Sequence, residues 1–233
     1  LPHKALLEIE KIPLIIHTYL RSKMSKLADE VFVCTDSNKI IEVCKKYNAK
    51  FIKTKSIHKN GTERIAEAIN KINVKENDII IDVQGDEPLV NPKHIDKVIK
   101  FFISNKFEIV VPHIKINDGS AKNIVKLIVN EKGKILWMTR SQSPFNFNSQ
   151  SIKYLKHLSI IAFNKKSLKK YSSLKMSKYE KIEAVELLRA LENEMLLGSF
   201  SIKSDSFSVD VLEDFIKAKK FFINDKIKFN YSK

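Results

Sequence analysis

The sequence predicts an α/β protein with a mostly parallel, doubly wound sheet and a small β-rich insertion. Three observations carry this. The run Ile79-Ile80-Ile81-Asp82-Val83 holds four apolar residues in five, the pattern of a strand buried on both faces. Strand-like and helix-like segments alternate from Leu14 to Pro112, as a doubly wound sheet requires. The 233 residues are 43 % hydrophobic, enough for one such domain over 1–233, with the insertion at about 120–165.

Taken in order, Leu14–Leu20 reads as a helix entered through Pro13. Glu30–Thr35 is a strand, and Asp36 or Ser37 caps a helix running to about Tyr47. Lys50–Thr54 is a short strand. Asn60-Gly61-Thr62-Glu63 opens a helix with Ile65, Ala66, Ile69 and Ile72 on its apolar face. Gly85 and Pro88 end the buried strand. Pro92–Phe102 is a helix and Glu108–Pro112 a strand. Ile124–Asn130 and Lys134–Thr139 form a hairpin around Glu131-Lys132-Gly133. Ser141–Ser151, polar and aromatic with Pro144, is a long loop or lid. Tyr154–Phe163 is a strand. Tyr179–Leu197 is a helix stopped by Gly198. Phe200–Lys203 is a strand and Val211–Ile223 the last helix. The opening Leu1-Pro2-His3-Lys4 is loop-like, so no first strand feeding a phosphate-binding turn is read.

Composition narrows the function. No segment approaches the ~20 apolar residues of a membrane span, and no signal-peptide core opens the chain; the expected location is the cytoplasm, with no membrane partner. Cys34 and Cys44 lack metal-ligand spacing and read as reduced, buried thiols. The net charge of +15 invites a nucleic-acid partner, but only four of the 42 basic residues are arginine: Arg21, Arg64, Arg140 and Arg189. The other 38 are lysines spread along the chain, which argues for no specific nucleic acid.

The candidate site is the turn Gln84-Gly85-Asp86-Glu87-Pro88. Open α/β sheets hold ligands at the carboxyl ends of their strands, which is where Asp86 and Glu87 fall. Two adjacent hard oxygen donors suggest Mg²⁺, which arrives with phosphates; a solvated turn ending a strand explains them equally well.

These residues resemble the 3-deoxy-manno-octulosonate cytidylyltransferase (CMP-Kdo synthetase) family over essentially the whole chain. Val83-Gln84-Gly85-Asp86-Glu87-Pro88 resembles its VQGDEP signature, and Asn60-Gly61-Thr62-Glu63-Arg64, preceded by His58, its SGTER segment. Leu1-Pro2-His3-Lys4 resembles the tail of its RLPGK loop. Thr139-Arg140-Ser141 with Pro144-Phe145 is similar to SRxxIPW/Y, and His157-Leu158 to the start of HxGIY. Glu180, Glu183, Glu186 and Arg189 are similar to the ExxExxEQLR helix. Ser208-Val209-Asp210 with Glu213-Asp214 is similar to GVDTPEDL.

The resemblance implies a three-layer, Rossmann-like fold of the nucleotide-diphospho-sugar transferase kind. It implies transfer of CMP from CTP to Kdo or a close analogue, with release of pyrophosphate, for lipopolysaccharide or capsule, by a Mg²⁺-dependent homodimer. Asp86 and Asp210 would hold the metal, each at the end of a strand. Lys4 would meet the triphosphate; Asn60, Gly61, Thr62, Arg64 and Asp86 would hold the nucleotide. Gln84, Arg140, His157, Glu183 and Glu186 would surround the sugar acid, with Arg140 forking onto its carboxylate. Taken singly, Asp210 also reads as a helix cap, Arg140 as a salt-bridge partner and His157 as a core histidine.

Several positions depart from the pattern. His3 replaces a glycine whose freedom at positive φ a histidine lacks. Ser159 and Ile161 replace the Gly and Tyr of HxGIY, Leu187 the helix Gln, Ser208 the Gly before Asp210, and Leu212 a Pro. These changes concentrate on the sugar side, where lost hydrogen-bonding groups alter specificity. Alternative readings therefore stay open: a cytidylyltransferase for 8-amino-Kdo or a nonulosonate, or an inactive nucleotide- or polyanion-binding relative.

Overall fold

The computed structural model describes residues 3–203 and 208–231, so Leu1 and Pro2 of the amino-terminal motif lie outside the described residues. A 3₁₀ turn, Lys4–Leu6, comes first. Then follow β1 (Glu8–Ile9), β2 (Ile12–Pro13), α1 (Leu14–Lys23), β3 (Val33–Thr35), α2 (Asn38–Lys46), β4 (Phe51–Lys53), α3 (Gly61–Ala68), β5 (Ile79–Val83) and α4 (Pro92–Ser104). The chain continues through β6 (Ile109–Ile116), β7 (Lys126–Val129), β8 (Ile135–Thr139), β9 (Tyr154–His157), β10 (Ile160–Asn164), α5 (Lys165–Ser173), α6 (Lys178–Glu183), α7 (Leu188–Glu192), β11 (Leu197–Ser201) and α8 (Leu212–Ile223). Two compact units result: Leu1–Val74 with Asp82–Lys97 and Ser206–Lys233, and Lys75–Ile81 with Val98–Asp205.

In the first unit, β3 and β4 pair in parallel through the crossover helix α2. Ser37 caps α2 by accepting from Ile40 N–H, and Asn60 caps α3 by accepting from Glu63 N–H at 2.8 Å. Two apolar clusters hold this unit. Ile16, Tyr19, Val33, Cys44 and Ala49 form one; Ile9, Leu14, Val209, Phe215, Ala218 and Phe222 form the other. The second cluster joins the chain's first and last helices around the segment that carries Asp210.

In the second unit, β6 is the hub. It pairs antiparallel with β10 and β9 along one edge and parallel with β11 along the other, because β10 and β11 both engage Ile109 and Val110. The hairpin β7–β8 attaches through β9, giving the order β5-β10-β6-β9-β7-β8 with β11 beside β6. The expected β-rich insertion supplies the antiparallel pairs. Gly133, at φ +79°, turns the β7–β8 hairpin where the sequence placed it.

Three expectations fail for identifiable reasons. The helix expected over Tyr179–Leu197 breaks at Ala184, which sits left-handed at φ 50°. Arg140 has captured the carbonyls of Glu183 and Ala184, so they cannot continue the helical ladder. Gly198 lies inside β11, paired with Val110 of β6, instead of stopping a helix, and a side chain there would collide with the Phe107 ring. The strand expected over Tyr154–Phe163 is two, β9 and β10, divided at Leu158-Ser159, where Ile160 N–H turns back to Leu158 O. The β1–β2 hairpin and α5, which opens with an Asn164/Ser167 capping box, carried too short a pattern to be read.

Candidate active site

The turn after β5 is held from below and from the side. Arg21, buried on α1, donates from Nε to Val90 O at 2.6 Å and from Nη2 to Leu89 O at 3.2 Å, and pairs with Asp225. Glu87, buried, accepts from Ser208 Oγ at 2.9 Å. Beside it, Val209 N–H donates to Asp86 O at 2.9 Å. The two aspartates expected to act together are thus set side by side by their own main chains.

Lys4 closes this arrangement. Its Nζ lies 2.5 Å from Asp86 Oδ2 and 2.7 Å from Asp210 Oδ1. Burial works to lower the Lys4 pKa, but hydrogen bonds and charge from Asp210 and Asp86 outweigh it, and the net shift is upward. His3 adopts φ 55°, ψ 28°, left-handed, so the turn keeps the backbone shape that a glycine would adopt freely. Asp210 does not end a strand, contrary to expectation. It precedes Val211, the cap residue of α8, and Asp214 reaches back to the Asp210 and Val211 N–H groups at 3.2 Å. Asp214 therefore does the capping, and the Asp210 carboxylate turns to Lys4.

Asp86 Oδ1 is shielded from solvent and has no hydrogen-bond partner among the described residues, while a cation, the Lys4 ammonium, already bridges the two carboxylates. Among the described residues no cluster of three or more His, Cys, Asp or Glu is arranged for a metal. Two carboxylates nonetheless fit Mg²⁺, which keeps several waters and takes its remaining ligands from phosphates.

Asn60, Gly61, Thr62 and Arg64 open α3. A Cβ at Gly61 would lie 2.6 Å from Gln84 Nε2, so the loop approaches the VQGDEP turn closely and a side chain at 61 would push the Gln84 amide aside. Arg64 is engaged with Asp36 at 2.9 Å and Thr54 at 2.6 Å. Glu67, which the sequence reading missed, pins the preceding loop through His58 Nε2 at 2.5 Å and the Lys55 N–H at 3.0 Å, and pairs with Lys71 at 2.6 Å. Those bonds, from Lys71 first, hold its carboxyl down at about 2.

In the second unit, Arg140 and Glu183 meet, but not as a side-chain fork. The Arg140 N–H donates to Glu183 Oε2 at 2.8 Å, and Thr139 Oγ1 to Oε1 at 2.7 Å. The guanidinium donates to the carbonyls of Glu183 (2.8 Å), Ala184 (3.1 Å) and Asn123 (3.1 Å). Lys126, fully buried, donates to Ala121 O and Ile124 O at 2.9 and 2.8 Å and to Arg140 O, and burial pushes its pKa down. His157 lies opposite His113 in the β6–β9 register, its Nε2 shielded and unpartnered among the described residues. Glu186, half-buried, accepts the Tyr171 hydroxyl on its carbonyl at 3.2 Å. Glu180 and Arg189 form a buried bidentate pair (2.7 and 2.8 Å) that anchors α6 to α7.

Comparison with known proteins agrees with this architecture. Residues 1–199 match the family described as Cytidylyltransferase, which sets the class of the chain as a nucleotidyltransferase. The chain is 37 % identical to the 3-deoxy-manno-octulosonate cytidylyltransferase of Thermodesulfovibrio yellowstonii, over 94 % of this chain and 91 % of the relative. It is 34 % identical to the mitochondrial enzyme of that name from Arabidopsis thaliana, over 91 % and 74 %. The solved structure of a CMP:2-keto-3-deoxy-manno-octonic acid synthetase complexed with CTP superposes with TM-score 0.90 at 29 % identity, over 96 % of this chain and 92 % of that one. The chain belongs to the 3-deoxy-manno-octulosonate cytidylyltransferase family. The 4-diphosphocytidyl-2C-methyl-D-erythritol synthase of Anaerococcus prevotii, at 13 % identity and TM-score 0.62, shares the fold.

Proposed function

We propose that this chain is a Mg²⁺-dependent enzyme that transfers CMP from CTP to Kdo, releases pyrophosphate, and works in the cytoplasm on a route to lipopolysaccharide or capsule. The observation that carries the reading is the convergence of Lys4, Asp86 and Asp210 in a chain that matches Kdo cytidylyltransferases along nearly its whole length. No helix among the described residues is long and apolar enough to cross a membrane.

The reaction joins a sugar hydroxyl to the α-phosphate of CTP and expels pyrophosphate, so the site must neutralise phosphate charge and hold the reactants in line. Asp86 and Asp210 would hold Mg²⁺, which when bound supplies Lewis-acid neutralisation of the phosphates. Lys4 offers the triphosphate a point charge and meanwhile keeps two close carboxylates from repelling. Gly61 and Thr62 present main-chain N–H groups at the start of α3 to the nucleotide, while Asn60 and Arg64 hold that loop in shape. Gln84, Arg140, His157, Glu183 and Glu186 are assigned to the sugar acid; Arg140 contributes by fixing the Glu183 turn, its guanidinium being occupied by carbonyls.

The exposed Phe145 and Phe147 of the 141–151 loop, each more than four-fifths accessible, are the surface on which a homodimer would form. The decisive experiment is pyrophosphate release with CTP, Mg²⁺ and Kdo, beside 8-amino-Kdo and a nonulosonate. Turnover on Kdo with the best kcat/KM supports the reading; turnover confined to another acid, or none with any, overturns it. Light scattering of the eluting protein checks the dimer.

A further inference from the structure

Asp82 is a carboxylate buried in the middle of an apolar strand, only 2 % exposed, and the reaction as described gives it no task. Its surroundings do. Gln84 Nε2 lies 3.1 Å from Asp82 Oδ1 and 3.0 Å from Oδ2, and Thr62 Oγ1 lies 3.4 Å from Oδ2. The half-buried Cys34 thiol feels its charge: burial first, and then Asp82, push that thiol up to about 12, so no proton is supplied from there.

We propose that Asp82 is a positioning residue that sets the polarity of the Gln84 amide. The inference rests on the proposed transferase reading of this site. A glutamine amide has a donor end and an acceptor end of nearly identical shape, and only its partners decide which way it faces. An ionised carboxylate accepts and cannot donate. Two carboxylate oxygens within hydrogen-bond reach therefore admit the NH₂ end and repel the oxygen. Oε1, with no hydrogen-bond partner among the described residues, is the end left for substrate. Gln84 thus acts toward its ligand as an acceptor, which suits a sugar hydroxyl or ammonium and disfavours a carboxylate oxygen. Gly61 leaves room for the amide on the other side, since a Cβ there would sit 2.6 Å from Nε2 and 3.0 Å from Oε1.

An asparagine at position 82 can present either a donor or an acceptor to Gln84, so the amide loses its fixed sense. The test is steady-state kinetics of D82N, Q84E and the double variant D82N/Q84E, with thermal melting of each. D82N is expected to raise KM for the sugar acid about tenfold, with kcat and KM for CTP within about twofold of the parent. Q84E places a carboxylate against Asp82 and is expected to lose more than D82N. The double variant restores a donor at 82 and an acceptor at 84, and is expected to recover most of the lost sugar affinity. A simple packing role for Asp82 would lower melting temperature and kcat together, with no recovery in the double variant; that result overturns the proposal, as does an unchanged KM in D82N. If the parent protein turns over no sugar acid, the transferase reading fails by itself. Orientation is then read from the side-chain amide of ¹⁵N-labelled Gln84, whose slow hydrogen exchange in the parent should become fast in D82N, and equal exchange in both would overturn the proposal.

Discussion

The main-chain N–H of Val209 donates to the main-chain carbonyl of Asp86 at 2.9 Å. This bond fixes the spacing of two carboxylates that are far apart in the sequence, because Asp86 and Asp210 are then neighbours by backbone geometry rather than by side-chain reach. Lys4 lies between them with both ion pairs formed.

That arrangement makes a prediction about Asp86 and another about Lys4. D86A is expected to reduce pyrophosphate release by about 10³-fold, since it removes a charge that several kcal/mol of phosphate neutralisation depends on. K4A leaves two carboxylates facing each other without a counter-charge. Its melting temperature should therefore fall below the parent's without divalent cation, and should rise more than the parent's when Mg²⁺ is added. Equal Mg²⁺ shifts in K4A and parent would show that the ammonium does not stand where a cation binds.

His3 tests how much of the amino-terminal turn depends on glycine-like geometry. An L-residue at φ 55° carries roughly 1–2 kcal/mol of strain. H3G removes that strain and is expected to leave activity unchanged while holding or raising stability by up to about 1 kcal/mol, the larger freedom of glycine in the unfolded chain offsetting part of the gain. H3V puts a β-branched side chain where it fits poorly, and should displace Lys4 and cut pyrophosphate release more than tenfold. Equal activities of H3V and H3G would separate the turn from catalysis.

Gly61 and Gln84 are predicted to act as one unit with Asp82. G61A forces the Gln84 amide aside, because the new methyl would lie 2.6 Å from Nε2. The expected effect is a rise in KM for the sugar acid similar to that of D82N, with about 1 kcal/mol lost in stability. Combining G61A with D82N should cost little more than either change alone, as contacting residues are not additive. Full additivity in the double-mutant cycle would place the two effects on separate groups.

The parts of this structure legible in the sequence are those made by local chemistry. Asn60 capping α3, Gly133 turning the β7–β8 hairpin, and the glycine and proline that end β5 each follow from what one residue does to its neighbours. The pairing of Asp86 with Asp210 was visible through motif resemblance, though the reason for it, a main-chain bond at Val209, was not. What stayed hidden was decided by distant partners. Nothing near Ala184 foretells a helix break, because the cause is a guanidinium from Arg140. The sequence assigned no task to Lys126 or Asp82, because their partners, Ala121 and Ile124 for the one and Gln84 and Thr62 for the other, are brought to these buried charges only by the fold.

The facing histidines of β6 and β9 predict the acid side of the stability profile. His113 and His157 are opposite one another in register. Burial first, and then nearby cations, lower both pKa values from 6.5 to about 4: Lys115 acts on His113, and Lys156 and Arg140 act on His157. Each folded-state value is therefore below the unfolded one. At pH above 6.5 both states are neutral at these positions and stability is insensitive to them. As pH falls from 6.5 toward 4 the unfolded chain takes up protons that the folded chain refuses, so stability declines, by at most about 1.4 kcal/mol per pH unit for each histidine. Below about 4 the folded state is protonated too and this contribution levels off. His157 pays the larger structural penalty, since a proton on its shielded Nε2 would find no acceptor among the described residues. Urea midpoints at pH 7, 5.5 and 4.5 should show the decline. H113Q, which keeps a side-chain partner for Ser199 Oγ, now 2.6 Å from His113 Nδ1, should reduce its slope by about one proton. An H113Q profile parallel to the parent's across that interval would mean that His113 is protonated in the folded state at ordinary acidity.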